Sequence, residues 1–302
     1  MEFSTMADWI LDALLDTAKL LPFLFLCYLL LEWIERRVDF SRGRVGRALQ
    51  SPFLGPLVGG VCGVVPQCGF SAVAAGLYAG RVVTAGTLVA VFLSTSDEML
   101  PILLSNADRI PPLFIPLLLL LKVGIAVLGG YLFNLLFFRR RRSGAEEESD
   151  VHEMCEQDGC HCEGHGLFYA ALYHTLRIAL FLLAVTLCLN VAIGLVGEDR
   201  MAAFLLDRPL LGNLLAAGIG LIPNCASSVV LTELYLGGAL SFGAMLSGLL
   251  PGAGVGLLVL FRINRHPKEN LLILAFLFAV GVLSGYAADA LGVDAFLRGL
   301  AA

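Results

Sequence analysis

Charged residues are scarce in this chain: Asp, Glu, Lys and Arg together make up 15% of its 302 residues, while 58% are hydrophobic. The mean hydropathy of +0.84 reflects more apolar surface than a soluble core of this size could bury. This scarcity of charge argues against an ordinary soluble domain. It predicts a chain embedded in a lipid bilayer, and we expect no nucleic-acid partner.

Several familiar motifs are also missing. The N-terminus MEFSTMADW lacks the basic region of a signal peptide, which predicts a retained first helix. No Walker motif or phosphorylation signature is present, so any driving force is expected to be an ion gradient. No H-E-x-x-H or comparable zinc constellation occurs, so we do not expect an enzyme, and we expect no required cofactor.

Apolar runs long enough to span a bilayer recur along the chain and predict an all-α polytopic membrane protein with about ten segments. Each half reads as five segments, of which the second and third are short. The predicted segments are 10–34, 52–65, 69–80, 84–104 and 112–138 in the first half, and 167–196, 209–222, 226–237, 241–262 and 270–291 in the second.

An internal repeat relates the halves by an offset of 157 residues, without a gap. The offset places Pro66, Cys68, Ser71, Tyr78 and Gly86 on Pro223, Cys225, Ser228, Tyr235 and Gly243. Repeats of this kind are typical of secondary transporters. The predicted domains are a first transmembrane repeat (1–138), a cytoplasmic linker rich in His and Cys (139–166) and a second transmembrane repeat (167–302).

Arginine placement predicts that the halves have opposite orientations. Basic residues crowd after the first segment, after the fifth segment and in the loop 262–268, so these regions are expected to be cytoplasmic. Each half then crosses the bilayer an odd number of times. This predicts a 5+5 inverted repeat, with both termini outside.

Two matched motifs, VVPQCGFS at 64–71 and LIPNCASS at 221–228, break the apolar runs. Proline and glycine disrupt helices, and such backbone survives at membrane depth only beside protein or a water-filled cavity. We expect broken or re-entrant short helices near the midplane. The alternative is a simple kink with small packing cysteines. The expected substrate-binding residues here are Gln67, Cys68, Ser71, Asn224, Cys225 and Ser228.

The stretch STSDEMLP at 94–101 places carboxylates at the end of an apolar run, which is costly at membrane depth and indicates a functional site. Ser94, Ser96, Asp97 and Glu98 are therefore added to the predicted site. The equivalent stretch PGAGVG at 251–256 has no carboxylate and should break its helix. The alternative is that Asp97 caps a helix at the water interface.

Further polar residues fall inside the predicted segments. Glu233 joins the predicted substrate-binding residues, either pairing with Lys122 across the core or carrying a proton. Asn134 is interpreted as a polar contact between helices. Oxygen ligands suit a hard cation, and the predicted metal ligands are Asp97, Glu98, Gln67 and Asn224.

The linker concentrates soft metal ligands within fourteen residues. Thiols and imidazoles suit Zn(II), Cu(I), Co(II) or As(III), which predicts a flexible metal sensor or delivery tether. A solvated cluster without function is the alternative. These accessory ligands are His152, Cys155, Cys160, His161, Cys162 and His165.

The two broken motifs, the STSDEMLP stretch and the linker resemble those of bacterial ten-helix heavy-metal exporters, known variously as arsenic efflux proteins or manganese transporters. The resemblance implies a multi-pass protein of the inner membrane that exports a metal ion, and we expect Mn(II), moved by alternating access. Arsenite or organoarsenical efflux through the paired thiols is the alternative, followed by an embedded enzyme or a metal sensor. The expected partners are the bilayer and the metal ion, and a homodimer stays open.

Overall fold

The computed structural model describes residues 50–64, 68–95, 99–106, 110–111, 113–138, 211–223, 225–264 and 266–301, with isolated helical positions between 14 and 29 and between 168 and 187. Every element in this part of the chain is a helix. The predictions for the linker and for most of the first segment of each half lie outside it.

The described helices follow the predicted order in both halves. The first half contains α1 (Leu54–Cys62), α2 (Cys68–Ala79), α3 (Ala85–Ser94), α4 (Met99–Ser105) and α5 (Phe114–Phe133), which continues as a π turn over Asn134–Phe138. The second half contains α6 (Gly212–Gly220), α7 (Cys225–Leu236), α8 (Phe242–Leu249), α9 (Val255–Ile263), α10 (Pro267–Ala290) and α11 (Val293–Ala301). Within the described part of the chain, three stretches are long and apolar enough to cross a membrane: Ala85–Ser105, Phe114–Phe137 and Pro267–Ala290.

The fourth predicted segment is interrupted in both halves: the break at PGAG was expected, whereas the break after Ser94 corrects the single helix predicted over 84–104. In the first half α3 ends at Ser94, and Thr95 turns away with a ψ of 133° before α4 begins at Met99. In the second half α8 ends at Leu249, and Gly254, with a φ of 50°, starts α9. The PGAG sequence explains the second break, because proline and a left-handed glycine cannot continue a helix.

Glycines bring helices into close contact within each half. A Cβ placed on Gly130 of α5 would lie 2.5 Å from the carbonyl oxygen of Gly86 in α3, so only glycine fits there. Gly285 of α10 meets Gly243 of α8 in the same way. Small residues let membrane helices approach closely, and these contacts pack α3 along α5 and α8 along α10.

The halves also exchange contacts crosswise. The helix that follows each Pro-x-Cys motif packs on the second piece of the broken segment of the other half, so α2 contacts α9 and α7 contacts α4. At the first of these contacts Gly256 lies against Ser71, and a Cβ on Gly256 would come within 2.6 Å of the Ser71 Cβ. The two halves are therefore interlocked.

The turns after α2 and α7 have the same conformation. Arg81 and Gly238, which occupy equivalent positions, both have a positive φ, of 59° and 73°. The N–H of each bonds to the carbonyl of the tyrosine three residues earlier, Tyr78 or Tyr235. Arg81 therefore adopts a left-handed conformation that normally favours glycine.

The sequence did not predict α11. The chain turns at Gly292, which has a φ of 63°, and α11 then packs against α5 and α10. Leu297 is buried, whereas Phe296 and Leu300 are exposed and form an apolar face. This pattern is typical of a helix that lies at a membrane surface.

Candidate functional site

The two helix breaks meet at Lys122, in the middle of α5. The Lys122 Nζ donates to the carbonyl oxygen of Thr95 at 2.6 Å and to that of Leu249 at 3.3 Å. Thr95 follows the last residue of α3, and Leu249 is the last residue of α8. All three residues are buried, and Lys122 is 0% exposed. A single side chain therefore joins the broken segments of both halves.

Two of the first-half serines predicted for the site, Ser71 and Ser94, lie close to these breaks. Ser71 is completely buried in the first turn of α2, against Gly256 in the first turn of α9. Ser94 is also completely buried, and its Oγ donates to the Val91 carbonyl of its own helix at 3.0 Å. Thr95 makes a similar bond, because its Oγ1 donates to the same carbonyl at 2.7 Å. These hydroxyls stabilise the end of α3 just before the acidic residues.

Several other predicted ligands lie outside the described residues or have undescribed side chains. Cys68 and Cys225 begin α2 and α7, at equivalent positions. The predicted site residues whose placement lies outside the structure are Gln67, Ser96, Asp97, Glu98, Asn224, and the linker ligands from His152 to His165. Their roles stay predictions. Among the described residues, no three His, Cys, Asp or Glu side chains come together.

The second-half residues Ser228 and Glu233 lie farther along α7. Ser228 is half-buried, and its carbonyl accepts a bond of 2.7 Å from the Thr232 Oγ1. Glu233 is exposed, whereas Lys122 is fully buried and bonded to the carbonyls of Thr95 and Leu249. These bonds give no support to the predicted pairing of Glu233 with Lys122.

A tyrosine-centred contact, which we call the first latch, joins the end of α2 to the start of α10. The Tyr78 Oη donates to the Glu269 Oε2 at 2.9 Å. Arg81 approaches the same oxygen at 3.5 Å and lies 3.4 Å from the His266 Nδ1. His266 and Glu269, at the start of α10, thus contact the end of the helix that follows the first Pro-x-Cys motif.

The second latch forms at the equivalent tyrosine. The Tyr235 Oη donates to the Asp294 Oδ1 at 2.6 Å, and Arg298 bonds to both residues at 3.0 and 2.8 Å. The hydrogen bond with Asp294 raises the pKa of Arg298, so its charge is retained. Arg298 also lies over the ring of Phe114, the first residue of α5, at 5.6 Å. The latch therefore joins α7 to α11 and to the start of α5.

Two polar side chains fix the starts of α3 and α8. Asn134 was predicted as a contact between helices, and its Oδ1 accepts from the Gly86 N–H at 3.0 Å. Asp289 was missed, although its Oδ1 accepts from the Gly243 N–H at 2.8 Å and its Oδ2 from the Ser241 hydroxyl at 2.9 Å. The sequence offset hides this equivalence, because Asp289 stands 155 residues after Asn134 and the repeat has an offset of 157.

The comparison with known families agrees with the resemblance seen in the sequence. Residues 170–302 match the model of the ArsP_2 family, described as "Putative, 10TM heavy-metal exporter". No curated protein and no solved structure matches the chain. The second half therefore resembles a family of polytopic membrane transporters of heavy metals, and the apolar helices agree with a multi-pass membrane protein.

Proposed function

We propose that this protein is a secondary transporter that exports a divalent metal ion, with Mn(II) as the preferred substrate, across the bacterial inner membrane by alternating access. The observation that carries this proposal is the meeting of two interrupted segments at Lys122. Discontinuous helices with ends at the midplane are the usual way in which secondary transporters build an ion site.

The atoms near the breaks favour a hard cation. The backbone carbonyls of Thr95 and Leu249 both accept hydrogen bonds from the Lys122 Nζ. Asp97 and Glu98 follow Thr95 in the sequence. Carboxylate and carbonyl oxygens are the ligands that Mn(II) prefers over thiolates. The proposed site is asymmetric, because the carboxylates come from the first half and the flexible PGAG backbone from the second.

The proposed inverted repeat is supported by the directions of α5 and α10. Near the end of α5, the Phe133 ring lies 5.0 Å from that of Phe276, in the first half of α10. At the other end, Phe114 lies under Arg298 of α11, which follows the end of α10. The two equivalent helices therefore run antiparallel, as opposite orientations of the two halves require.

The two latches are the proposed gates of the alternating-access cycle. The first ties α2 to the start of α10, and the second ties α7 to the start of α5 through α11. Because α5 and α10 run antiparallel, the latches belong to opposite sides of the membrane. Opening one while the other stays closed would expose the breaks to one side at a time.

The matched thiols support a second candidate substrate. Cys68 and Cys225 are the first residues of α2 and α7, so both halves have a cysteine at the end of the Pro-x-Cys motif. Soft ligands favour arsenite over Mn(II). Under this alternative, replacing both cysteines by alanine would abolish transport, whereas Asp97→Asn and Glu98→Gln would leave it intact.

Uptake of metal into inside-out vesicles tests the proposal and separates the candidates. We expect Mn(II) uptake by the wild type, loss of uptake in Asp97→Asn or Glu98→Gln, and retention in the double variant Cys68→Ala, Cys225→Ala. A panel with Zn(II), Co(II) and arsenite identifies the preferred ion. A wild-type signal equal to that of empty vesicles for every ion would refute export.

The linker has a separate role in this proposal, as a flexible tether that collects metal ions on the cytoplasmic side. Its thiols and imidazoles suit softer ions than the oxygens of the proposed site. Deletion of residues 146–165 should lower uptake at low metal concentration and leave the maximal rate unchanged. Complete loss of transport at every concentration would instead make the linker part of the transport path.

A further inference from the structure

Lys122 is a charged side chain buried between helices, where burial of a neutral side chain would cost less free energy. Lys122 is 0% exposed in a helix whose sequence is FIPLLLLLKVGIAVLGGYLF. Elsewhere a neutral side chain also joins helices: the Asn134 amide links α5 to the start of α3 through the Gly86 N–H. A cation inside a membrane protein carries a large cost, which indicates that positive charge itself is needed at this point.

Two of the partners of Lys122 explain that need. Thr95 caps the C-terminal end of α3, and Leu249 ends α8. The C-terminal end of a helix carries a partial negative charge and carbonyls without partners in the helix. Two such ends that converge inside a membrane repel each other unless a cation lies between them. The Lys122 Nζ supplies that cation, at 2.6 and 3.3 Å from the two oxygens.

The counterpart position in the second half carries no charge. The close contacts of Gly130 with Gly86 and of Gly285 with Gly243 align α5 with α10. With this alignment, Leu277 is the counterpart of Lys122, and it is also completely buried. The asymmetry matches that of the sequence, because Asp97 and Glu98 also occur only in the first half.

We propose that Lys122 is a tethered cation that occupies the metal-free transporter, and that an incoming divalent metal ion displaces its Nζ from the carbonyl oxygens of Thr95 and Leu249. This inference rests on the proposed export function. The metal ion requires the kind of oxygen ligands that the ammonium now holds, so the two cations compete. After the metal ion leaves, the ammonium returns and holds the two helix ends together during the return step.

Competition gives an unusual signature. Removal of the ammonium in Lys122→Met should tighten metal binding, because the competing charge is gone and like charges within a few ångströms repel strongly. We expect the dissociation constant for Mn(II) to fall about tenfold. The maximal transport rate should fall by a similar factor, because the bound ion leaves slowly and the empty transporter lacks its internal cation. Lys122→Arg should keep wild-type affinity within about threefold, because the charge is retained.

The measurement is calorimetric titration of the purified full-length protein with Mn(II), combined with uptake into proteoliposomes. Leu277→Met is the matched control, since it introduces the same side chain at the counterpart position without removing a charge. If Lys122→Met fails to fold, Lys122→Gln replaces it, because glutamine still donates a hydrogen bond to one of the carbonyls. Both neutral variants are expected to bind Mn(II) more tightly and to transport it more slowly than the wild type.

Three outcomes would overturn the inference. Folded neutral variants that bind Mn(II) as the wild type does, or more weakly, would make Lys122 a structural contact only. Oxyanion binding that requires Lys122 would make it part of an anion site, contrary to the donation of its protons to carbonyls. Absence of metal binding by the wild type would refute the proposed function itself, so the two failures are distinguishable.

Discussion

Tyr78 and Tyr235 stand 157 residues apart in the sequence. Each donates a hydrogen bond to a carboxylate, and the two carboxylates lie at opposite ends of α10. Tyr78 bonds to Glu269 at its first turn, and Tyr235 bonds to Asp294 in α11, just beyond its last residue. An arginine accompanies each pair, Arg81 in the first latch and Arg298 in the second. The carboxylates come from different helices, so the sequence repeat alone does not reveal this equivalence.

Loss of one phenol should open one latch and leave the other closed. A hydrogen bond to a charged group contributes about 1.5–3 kcal/mol, so Tyr78→Phe should accelerate local amide exchange in residues 77–84 at least about tenfold. Tyr235→Phe should do the same in residues 234–241. Hydrogen exchange followed by mass spectrometry measures both variants, and each serves as the control for the other. Equal acceleration of both turns by either variant would contradict independent latches.

Replacement of Asp289 by alanine should destabilise the second half more than its replacement by asparagine does. Asp289→Ala leaves the Gly243 N–H and the Ser241 hydroxyl without their acceptor, at a cost of about 2–4 kcal/mol. Asp289→Asn keeps one acceptor oxygen, as Asn134 does in the first half, and should cost less than half as much. Thermal unfolding in detergent gives the ranking. Equal melting temperatures for the two variants would show that the bonds do not hold α8 to α10.

The glycine contacts predict a sharp difference between positions on the same helix. Gly130→Ala would place a Cβ against the Gly86 carbonyl and should separate α3 from α5, at a cost of about 2 kcal/mol or more. Gly124 has no atom within 4 Å of an added Cβ, so Gly124→Ala should be neutral or stabilising by up to about 1 kcal/mol. Unfolding curves for the two variants test this difference. Similar curves would argue against close packing at Gly130.

Because Arg81 has a left-handed backbone conformation, its replacement by alanine and its replacement by glycine should differ in stability. Arg81→Ala and Arg81→Gly both lose the ion pair with Glu269, but only glycine relieves the strain of a φ of 59°. Arg81→Gly should therefore be more stable than Arg81→Ala by about 1 kcal/mol. The natural sequence already has glycine at the equivalent position, Gly238. Chemical denaturation measures the difference, and a more stable alanine variant would contradict the assigned turn.

Much of the helical order could be predicted from sequence, because apolar runs and Pro-Gly breaks are local signals. The short helices around Pro66 and Pro223 and the cysteines at the starts of α2 and α7 follow from such signals. Contacts across the chain could not be predicted. Nothing local indicates that the Lys122 side chain reaches Thr95 and Leu249, or that Glu233 faces outward while Lys122 is buried.

Only one of the two interruptions of segment four could be predicted from the sequence. The PGAG stretch predicts the break in the second half, because Pro251 and Gly254 are poor helix formers. Ser94 and Thr95 are not strong helix breakers, and their hydroxyls bond to the preceding turn. At that break the Lys122 Nζ bonds to the Thr95 carbonyl, a tertiary contact that no local pattern predicts. The unpredicted α11 likewise makes its contacts with residues distant in sequence, Tyr235 and Phe114.

Anomalous diffraction from crystals of the full-length protein grown with Mn(II) tests the central claim most directly, because it locates the metal ion without assumptions about ligands. The account predicts one strong manganese peak inside the membrane, beside the carbonyl oxygens of Thr95 and Leu249, with the Lys122 Nζ moved away from them. Manganese density confined to the linker 139–166 or to the protein surface, with Lys122 still bonded to both carbonyls, would contradict it.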